Sequence, residues 1–150
     1  MLTFDQIVDR VSVLSPSKIA VRDGVTELDY KNLKNNGYNL ANYFSSIGIK
    51  KKDRVVLLAY NCIEFSEIMY ATSKVGAIIS PINFRLSSDE IKDILLDCKP
   101  KIILYQKSFQ NIISVVKMER NLKHINTLII DRKDKESFNY KNAITYSDVN

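Results

Sequence analysis

The pattern of apolar and polar residues changes character near residue 50. Before it, apolar residues recur at helical spacing in two segments that flank a short alternating run. Thr3 and Gln6 have the spacing of a capping box, and the pattern predicts a helix over 3–14. The apolar stripe expected on this helix consists of Phe4, Ile7, Val8 and Val11.

The alternating run over 18–29 predicts a β-hairpin. Asp23-Gly24 is expected to form its type I′ turn, because both central positions of that turn need a positive φ. Asp29 and Gly48 then predict the beginning and the end of a helix over 30–47. We attribute Gly37, on the apolar face of this helix, to a close helix contact and not to a site.

From residue 53 onward, continuous apolar runs replace the alternation. The runs "RVVLLAY", "AIISPI", "KIILY" and "NTLIID" predict buried strands that begin near 54, 77, 101 and 126. Asn61, Ser87 and Ser108 are expected to cap the helices between them. A repeat of about two dozen residues is typical of β-α units, so 53–131 is predicted to be an α/β domain with an open, mostly parallel sheet. The charged residues that follow it are expected to form a loop and tail, 132–150.

Composition and charge narrow the function classes. The 150 residues carry a net charge of +5, and the densest basic cluster, Lys50–Lys52, is interpreted as a solvated turn because no nucleic-acid-binding signature accompanies it. Cys62 and Cys98, expected on apolar helix faces, lack metal-ligand spacing, and His124 is the one histidine, so no metal site is predicted. Without a signal peptide or an apolar run of membrane-spanning length, we expect a cytoplasmic chain with no membrane span.

The candidate site is the loop between the second buried strand and its helix. Ligands of open α/β sheets bind beyond the carboxyl ends of the strands, and the loop Pro81–Ser87 at that edge carries Arg85. Arginine binds phosphate or carboxylate through two parallel hydrogen bonds. A surface ion pair with Asp89 or Glu90 is the alternative. No residue is predicted to be catalytic, because no nucleophile elbow, phosphate loop or acid–base pair occurs.

The chain resembles the N-terminal region of the adenylate-forming acyl-CoA synthetase (AMP-binding) family over about residues 1 to 131. The segments that carry the resemblance are "ELDYKNL", which is similar to a "TYxEL"-type segment, and "GAIISPINFRLSSDEI", which is similar to "GAVxxPxNxRLxxxEI". The second is the more specific. The resemblance implies a parent enzyme that uses ATP, Mg²⁺ and coenzyme A to convert a carboxylic acid into an acyl-adenylate and then into a thioester.

The resemblance also implies a role for one residue. The arginine of the "xRL" stretch, Arg85 here, is expected near the phosphates of the coenzyme A nucleotide. The family's phosphate loop "SGTTGxPKG" and its C-terminal lysine are absent from the sequence. We therefore expect a fragment that is inactive alone and binds none of these cofactors tightly. A carrier protein as the acceptor remains an alternative to coenzyme A.

Two further interpretations stay open. One is a free-standing α/β interaction or regulatory module; the other, ranked low, is a nucleic-acid binder. On the family interpretation, residues 1–50 form an entry helix, hairpin and helix before the β-α units of 53–131. We then expect the fragment either to self-associate through residues 1–50 or to leave that region loosely packed, with Ile19, Val21, Leu28 or Leu33 unusually exposed.

Overall fold

The computed structural model describes residues 1–24, 26–133 and 136–138, which group into two compact units. The first unit contains residues 1–52 and 61–78. Its elements are α1 (Phe4–Leu14), β1 (Ile19–Asp23), β2 (Thr26–Asp29), α2 (Tyr30–Ser46) and α3 (Ile63–Val75).

The first helix begins as predicted but presents a different face to the interior. The backbone N–H of Thr3 donates to Gln6 Oε1 at 3.1 Å, which confirms the capping box. The predicted apolar stripe is wrong for Ile7, which is 45% exposed, whereas Asp5 and Ser12 are buried beside Val8. Polar contacts, and not only apolar ones, therefore hold α1 in place.

Those contacts join α1 to α3. The Ser73 hydroxyl donates to Asp5, the Tyr70 hydroxyl donates to Asp9 Oδ1 at 2.6 Å, and Lys74 Nζ lies 2.8 Å from Asp9 Oδ2. Burial acts to raise the pKa of Asp9, but the hydrogen bonds from Lys74 and Tyr70 and the lysine charges outweigh it, so that this pKa lies below its ordinary value. Asp5 shows the same balance, with burial opposed by Ser73, Thr3 and Lys74.

The hairpin forms as predicted, with its turn one position later. Asp23 pairs with Thr26 and ends β1, so that Gly24, at φ 57°, is the first residue of the connection. The second residue lies outside the described residues. Ile19 is 40% exposed, but Leu28 is buried, as is Leu33 in α2. The expectation of bare apolar side chains here is wrong for those two leucines.

A close contact between α2 and α3 accounts for Gly37, as predicted. A Cβ atom at this position would lie 2.4 Å from Tyr70 Cδ1, and Tyr70 is fully buried.

Cys62 is the N-cap of α3, one residue later than the predicted Asn61. Gly76 ends α3 in the left-handed conformation at φ 71°.

The second unit contains residues 53–60 and the described residues from 79 onward. Its elements are β3 (Arg54–Leu58), β4 (Ile78–Pro81), α4 (Ser88–Cys98), β5 (Ile102–Tyr105), α5 (Gln110–Val116), β6 (Asn126–Ile129), β7 (Arg132–Lys133) and β8 (Glu136–Phe138). The first residue of β4, Ile78, is grouped with the first unit.

A four-stranded sheet in the order β4-β3-β5-β6 forms this unit's centre. β3 and β6 both run parallel to β5, which confirms the predicted α/β class and the mostly parallel sheet. The segment 132–138, predicted as loop, instead contains the short antiparallel pair β7 and β8. These short segments lack the alternation of apolar and polar residues from which strands are predicted, so the sequence did not indicate this pair.

Both faces of the central strands are buried, as their continuous apolar runs predicted. One face packs with α4 and α5, through Val56, Leu58, Ile91, Leu95, Ile103, Ile113 and Val116. The alternate residues of β3 and β5 are buried as well, namely Val55, Leu57, Ile102 and Leu104.

The helices of this unit are fixed at their ends. Ser87 and Glu90 form the predicted capping box of α4. At its other end Arg54 Nε donates to the carbonyl of Cys98 at 2.6 Å, which places a cation at the negative end of the helix dipole. Ser108 is not a helix cap: a 3-10 turn, Lys107–Phe109, precedes α5, because the Lys107 N–H donates to Asp131.

Among the described residues, no helix is both long and apolar enough to cross a membrane. The division of the chain into 1–50, 53–131 and 132–150 stays a prediction.

Candidate functional site

The candidate site lies in the second unit, where the chain leaves the carboxyl ends of β3, β4 and β5. Tyr60 follows β3, the loop Pro81–Ser87 begins at the last residue of β4, and Gln106 follows β5. Two hydrogen bonds tie these segments together: the Tyr60 N–H donates to Gln106 Oε1 at 2.8 Å, and the Ile82 N–H donates to the Leu57 carbonyl at 2.8 Å. Hydrogen bonds between neighbouring segments therefore hold this edge of the sheet in place.

The backbone of the loop is held by a side chain within it. Asn83 Oδ1 accepts the N–H of Arg85 at 3.0 Å, and the Asn83 carbonyl accepts the N–H of Leu86 at 3.2 Å. Asparagine favours such turns because its short amide reaches the backbone two residues on. The "NFRL" stretch thus fixes the position from which the Arg85 side chain leaves.

Three aromatic rings, one of them from this loop, form a cluster at the same edge. The ring centroid of Phe84 is 4.7 Å from that of Tyr60 in an edge-to-face arrangement, and Tyr60 is 5.0 Å from Phe109. Phe109 is buried, whereas Tyr60 is 48% exposed. The sequence pattern does not reveal this cluster. Only the alignment of β3, β4 and β5 brings together residues so far apart in sequence.

Arg85 is exposed at the rim of the aromatic cluster. Its guanidinium carbon lies 5.6 Å from the centroid of the Phe84 ring. Within the described part of the chain, the predicted alternative partners have other contacts. Asp89 pairs with Lys92 at 2.8 Å, and Glu90 accepts the Ser87 N–H at 2.8 Å. The guanidinium can therefore present its donors to a ligand.

The N-terminus of α4 does not add a free anion site beside Arg85. Glu90 occupies this helix end and accepts from both the N–H and the hydroxyl of Ser87. The backbone and then the side chain of Ser87 hold the pKa of Glu90 below its ordinary value. A carboxylate at this position repels an anion, so that Arg85 is the main cationic feature of the loop.

Neither cysteine is an activated thiol. Cys62 and Cys98 are free and half-buried. Burial, reinforced by Glu64, raises the pKa of Cys62 to about 12, so that the thiol is not a nucleophile near neutral pH. Across the described residues, no group of three or more His, Cys, Asp or Glu side chains could hold a metal ion.

Comparison with known proteins identifies the family to which this fold and this loop correspond. The model of the AMP-binding enzyme family matches residues 8–148. The chain belongs to the AMP-binding enzyme family. The match spans both described units and includes the loop that carries Arg85.

Curated relatives in this family are CoA ligases. The chain is 30% identical over 102 residues to an indoleacetate–CoA ligase of Aromatoleum aromaticum, a match that covers 68% of this chain and 20% of the relative. It is 35% identical over 79 residues to the long-chain-fatty-acid–CoA ligase FadD13 of Mycobacterium tuberculosis, covering 53% of this chain and 16% of that protein. The chain thus matches about a fifth or less of the length of these relatives.

Solved structures share the fold. The N-terminal domain of FACL13 from Mycobacterium tuberculosis superposes with a TM-score of 0.79 at 26% identity, covering 86% of this chain and 34% of that one. The anthranilate CoA ligase AuaEII in complex with anthranoyl-AMP has the same TM-score at 22% identity, which shows the fold alone.

Proposed function

We propose that this chain is the N-terminal part of an ATP-dependent acid–CoA ligase. The family match over residues 8–148 is the observation that carries the proposal, and the CoA-ligase names of the curated relatives support it. The parent protein acts in the cytoplasm on a small carboxylic acid, with ATP, Mg²⁺ and coenzyme A.

The proposed reaction has two steps. An oxygen of the substrate carboxylate attacks the α-phosphorus of ATP, and the bond to pyrophosphate breaks, giving the acyl-adenylate. The sulfur of coenzyme A then attacks the acyl carbon, AMP leaves with the bonding electron pair, and the thiol proton passes to solvent or a base. The chemistry that Mg²⁺ would supply when bound is neutralisation of phosphate charge.

Within this reaction, Arg85 is proposed to bind a phosphate of the coenzyme A nucleotide. Its exposure, the fixed backbone of "NFRL" and the other partners of Asp89 and Glu90 support this role. A planar guanidinium can donate two parallel hydrogen bonds to a phosphate. Arg85 is then a binding residue for the second step and makes no contact with the reacting atoms.

The 150 residues alone are proposed to be inactive in both steps. Their sequence contains no phosphate loop of the "SGTTGxPKG" type, so ATP, Mg²⁺ and coenzyme A are not expected to bind them tightly. Self-association of the isolated chain is a further expectation, because Ile19 and several apolar side chains of α1 are exposed.

Pyrophosphate exchange tests the proposal on the complete ligase that contains these residues. With ATP and a panel of carboxylic acids, we expect acid-dependent exchange without coenzyme A, and thioester formation only when coenzyme A is added. The 150-residue chain, assayed in parallel, should give neither product. Acid-dependent transfer to a carrier protein but not to coenzyme A would contradict the proposed acceptor, and the absence of exchange with every acid would contradict the activity.

A further inference from the structure

The first helix turns apolar side chains and a cation to the surface. Val13 is 73% exposed, Leu14 is 70% exposed and Ile7 is 45% exposed. Arg10 is also exposed, and its position three residues after Ile7 and four before Leu14 places it on the same side of the helix. We call Ile7, Arg10, Val13 and Leu14 the outer face of α1.

Neither carboxylate of α1 offsets the charge of this face. Asp5 is buried and accepts a hydrogen bond from the Ser73 hydroxyl. Asp9 accepts a hydrogen bond from the Tyr70 hydroxyl, and its other oxygen lies 2.8 Å from Lys74 Nζ. Both carboxylates are therefore directed toward α3 and engaged there, which leaves the outer face of α1 positive.

A depression in the second unit combines apolar side chains with the opposite charge. It lies between the start of α4 and the end of α5 and has a volume of about 320 Å³. Val115, which is 54% exposed, and Met118, which is 84% exposed, form its apolar part. Asp89, Lys92 and Glu119 line it as well. We call it the α4–α5 depression.

The charge of the α4–α5 depression is negative. Among the described residues, Lys92 is the one cation that lines it, and its Nζ lies 2.8 Å from Asp89 Oδ1. The hydrogen bond to Asp89, and then the charges of Asp89, Asp93 and Glu119, hold the pKa of Lys92 above its ordinary value. Three carboxylates thus act on one ammonium group.

We propose that the outer face of α1 on one copy of this chain binds the α4–α5 depression of a second copy. The apolar side chains of the two surfaces leave water together when they meet. The guanidinium of Arg10 then lies against the carboxylates of Asp89 and Glu119. The inference names the two surfaces for the self-association proposed above and does not depend on the ligase activity, since neither surface includes Arg85.

Opposite charge favours this pairing over the alternatives. Contact between two outer faces of α1 would bring two Arg10 side chains together, and contact between two depressions would bring carboxylates together. Like charges placed against each other oppose association. An anionic bilayer attracts the outer face of α1 but repels the α4–α5 depression, so it gives no account of the exposed Val115 and Met118.

Sedimentation equilibrium of the 150-residue chain tests the pairing. The average mass should rise with concentration above the 17.2 kDa of one chain. Arg10→Glu and Glu119→Lys should each weaken association by about 10-fold, because an exposed ion pair contributes up to about 5-fold and like charges add a similar penalty. The double variant Arg10→Glu/Glu119→Lys keeps the parent's net charge of +5, restores opposite charges and should recover association to within about 3-fold.

Matched variants separate direct contact from net charge. Lys51→Glu and Asp97→Lys make the same charge changes at exposed positions outside both surfaces. In about 0.15 M NaCl, where exposed charges more than about 8 Å apart are largely screened, they should change association by no more than about 2-fold. Leu14→Ser leaves the net charge unchanged and should weaken association by about 3- to 10-fold, as expected for burying about half of a leucine side chain.

Circular dichroism should be the same in every variant and in the parent. If a charge variant loses it, Leu14→Ser and Met118→Ser test the two surfaces without a change of charge, each with an expected loss of about 3- to 10-fold. The proposal is overturned by a mass that stays at one chain at every concentration, by equal losses in the charge variants and their controls, or by no recovery in the double variant. No effect of Leu14→Ser, or binding to phosphatidylglycerol vesicles in place of self-association, would also overturn it.

Discussion

Replacing Gly37 by alanine tests whether close packing of α2 on α3 holds the first unit together. In an exposed helix interior this change stabilises, because alanine has the better helix propensity by about 1 kcal/mol. Here the added Cβ would lie 2.4 Å from Tyr70 Cδ1, 2.8 Å from Cγ and 2.9 Å from Cβ. These atoms belong to the base of a fully buried side chain and cannot rotate away.

The expected net effect is therefore a loss of stability. Overpacking of a core costs about 1–3 kcal/mol. A shift of Tyr70 would also weaken its hydrogen bond to the Asp9 carboxylate, and hydrogen bonds to charged groups are worth about 1.5–3 kcal/mol. After the gain in helix propensity is subtracted, we expect Gly37→Ala to lower the free energy of unfolding by about 1–3 kcal/mol.

Urea denaturation followed by circular dichroism measures this change. Asn35→Ala, at an exposed position of the same helix, is the control and should leave stability unchanged or raise it by a few tenths of a kcal/mol. The double variant Gly37→Ala/Tyr70→Ala should lose less than the sum of the single losses, with a coupling of about 0.5–3 kcal/mol. A Gly37→Ala protein as stable as the Asn35→Ala control, or strictly additive losses, would refute the reasoning.

Three further predictions concern the stability of the helices. Ser87→Ala removes the N-cap of α4 and should lower the free energy of unfolding, measured by urea denaturation, by about 1 kcal/mol. An unchanged free energy of unfolding would contradict the stabilising role of this cap. Lys99, at φ 48°, has the left-handed conformation that costs non-glycine residues about 1–2 kcal/mol, so Lys99→Gly should raise the thermal midpoint, and a lower midpoint would contradict this strain. The lowered pKa values of Asp5 and Asp9 give stability that is fully present above their ordinary value of 3.8 and is lost as the pH falls through the lowered folded values. A pH series of unfolding midpoints should therefore show a larger acid loss in the parent than in an Asp5→Asn/Asp9→Asn variant, and equal losses would contradict the role of these carboxylates.

The sheet-containing unit was the more predictable part because its strands are buried on both faces. Continuous runs such as Val55–Leu58 and Ile102–Tyr105 have few alternatives to a central strand, and Ser87 with Glu90 marks the start of α4 by a bond pattern local in sequence. Helix starts that depend on contacts distant in sequence were less predictable. Lys107 begins a 3-10 turn in place of the Ser108 cap because its N–H reaches Asp131.

The face of α1 could not be predicted from hydrophobicity. Asp5 is buried and Ile7 is exposed because Ser73 and Lys74 of α3 supply partners for the Asp5 carboxylate. These partners belong to another helix, so the apolar periodicity of α1 does not indicate them. At the candidate site, Arg85 was identified from its loop and from the family resemblance. The aromatic rings of Tyr60 and Phe109 beside it were missed because they come from different strand ends.

Separate kinetics of the two half-reactions in the complete ligase test the central proposal most directly. A charged hydrogen bond to phosphate contributes about 1.5–3 kcal/mol, so Arg85→Ala should raise the KM for coenzyme A by about 10- to 100-fold and leave acid-dependent pyrophosphate exchange unchanged. Lys107→Ala, which removes another exposed cation from the same edge, is the control and should alter neither step. An unchanged KM for coenzyme A in the Arg85→Ala enzyme, or an equal loss in both half-reactions, would contradict the assignment of this edge to coenzyme A.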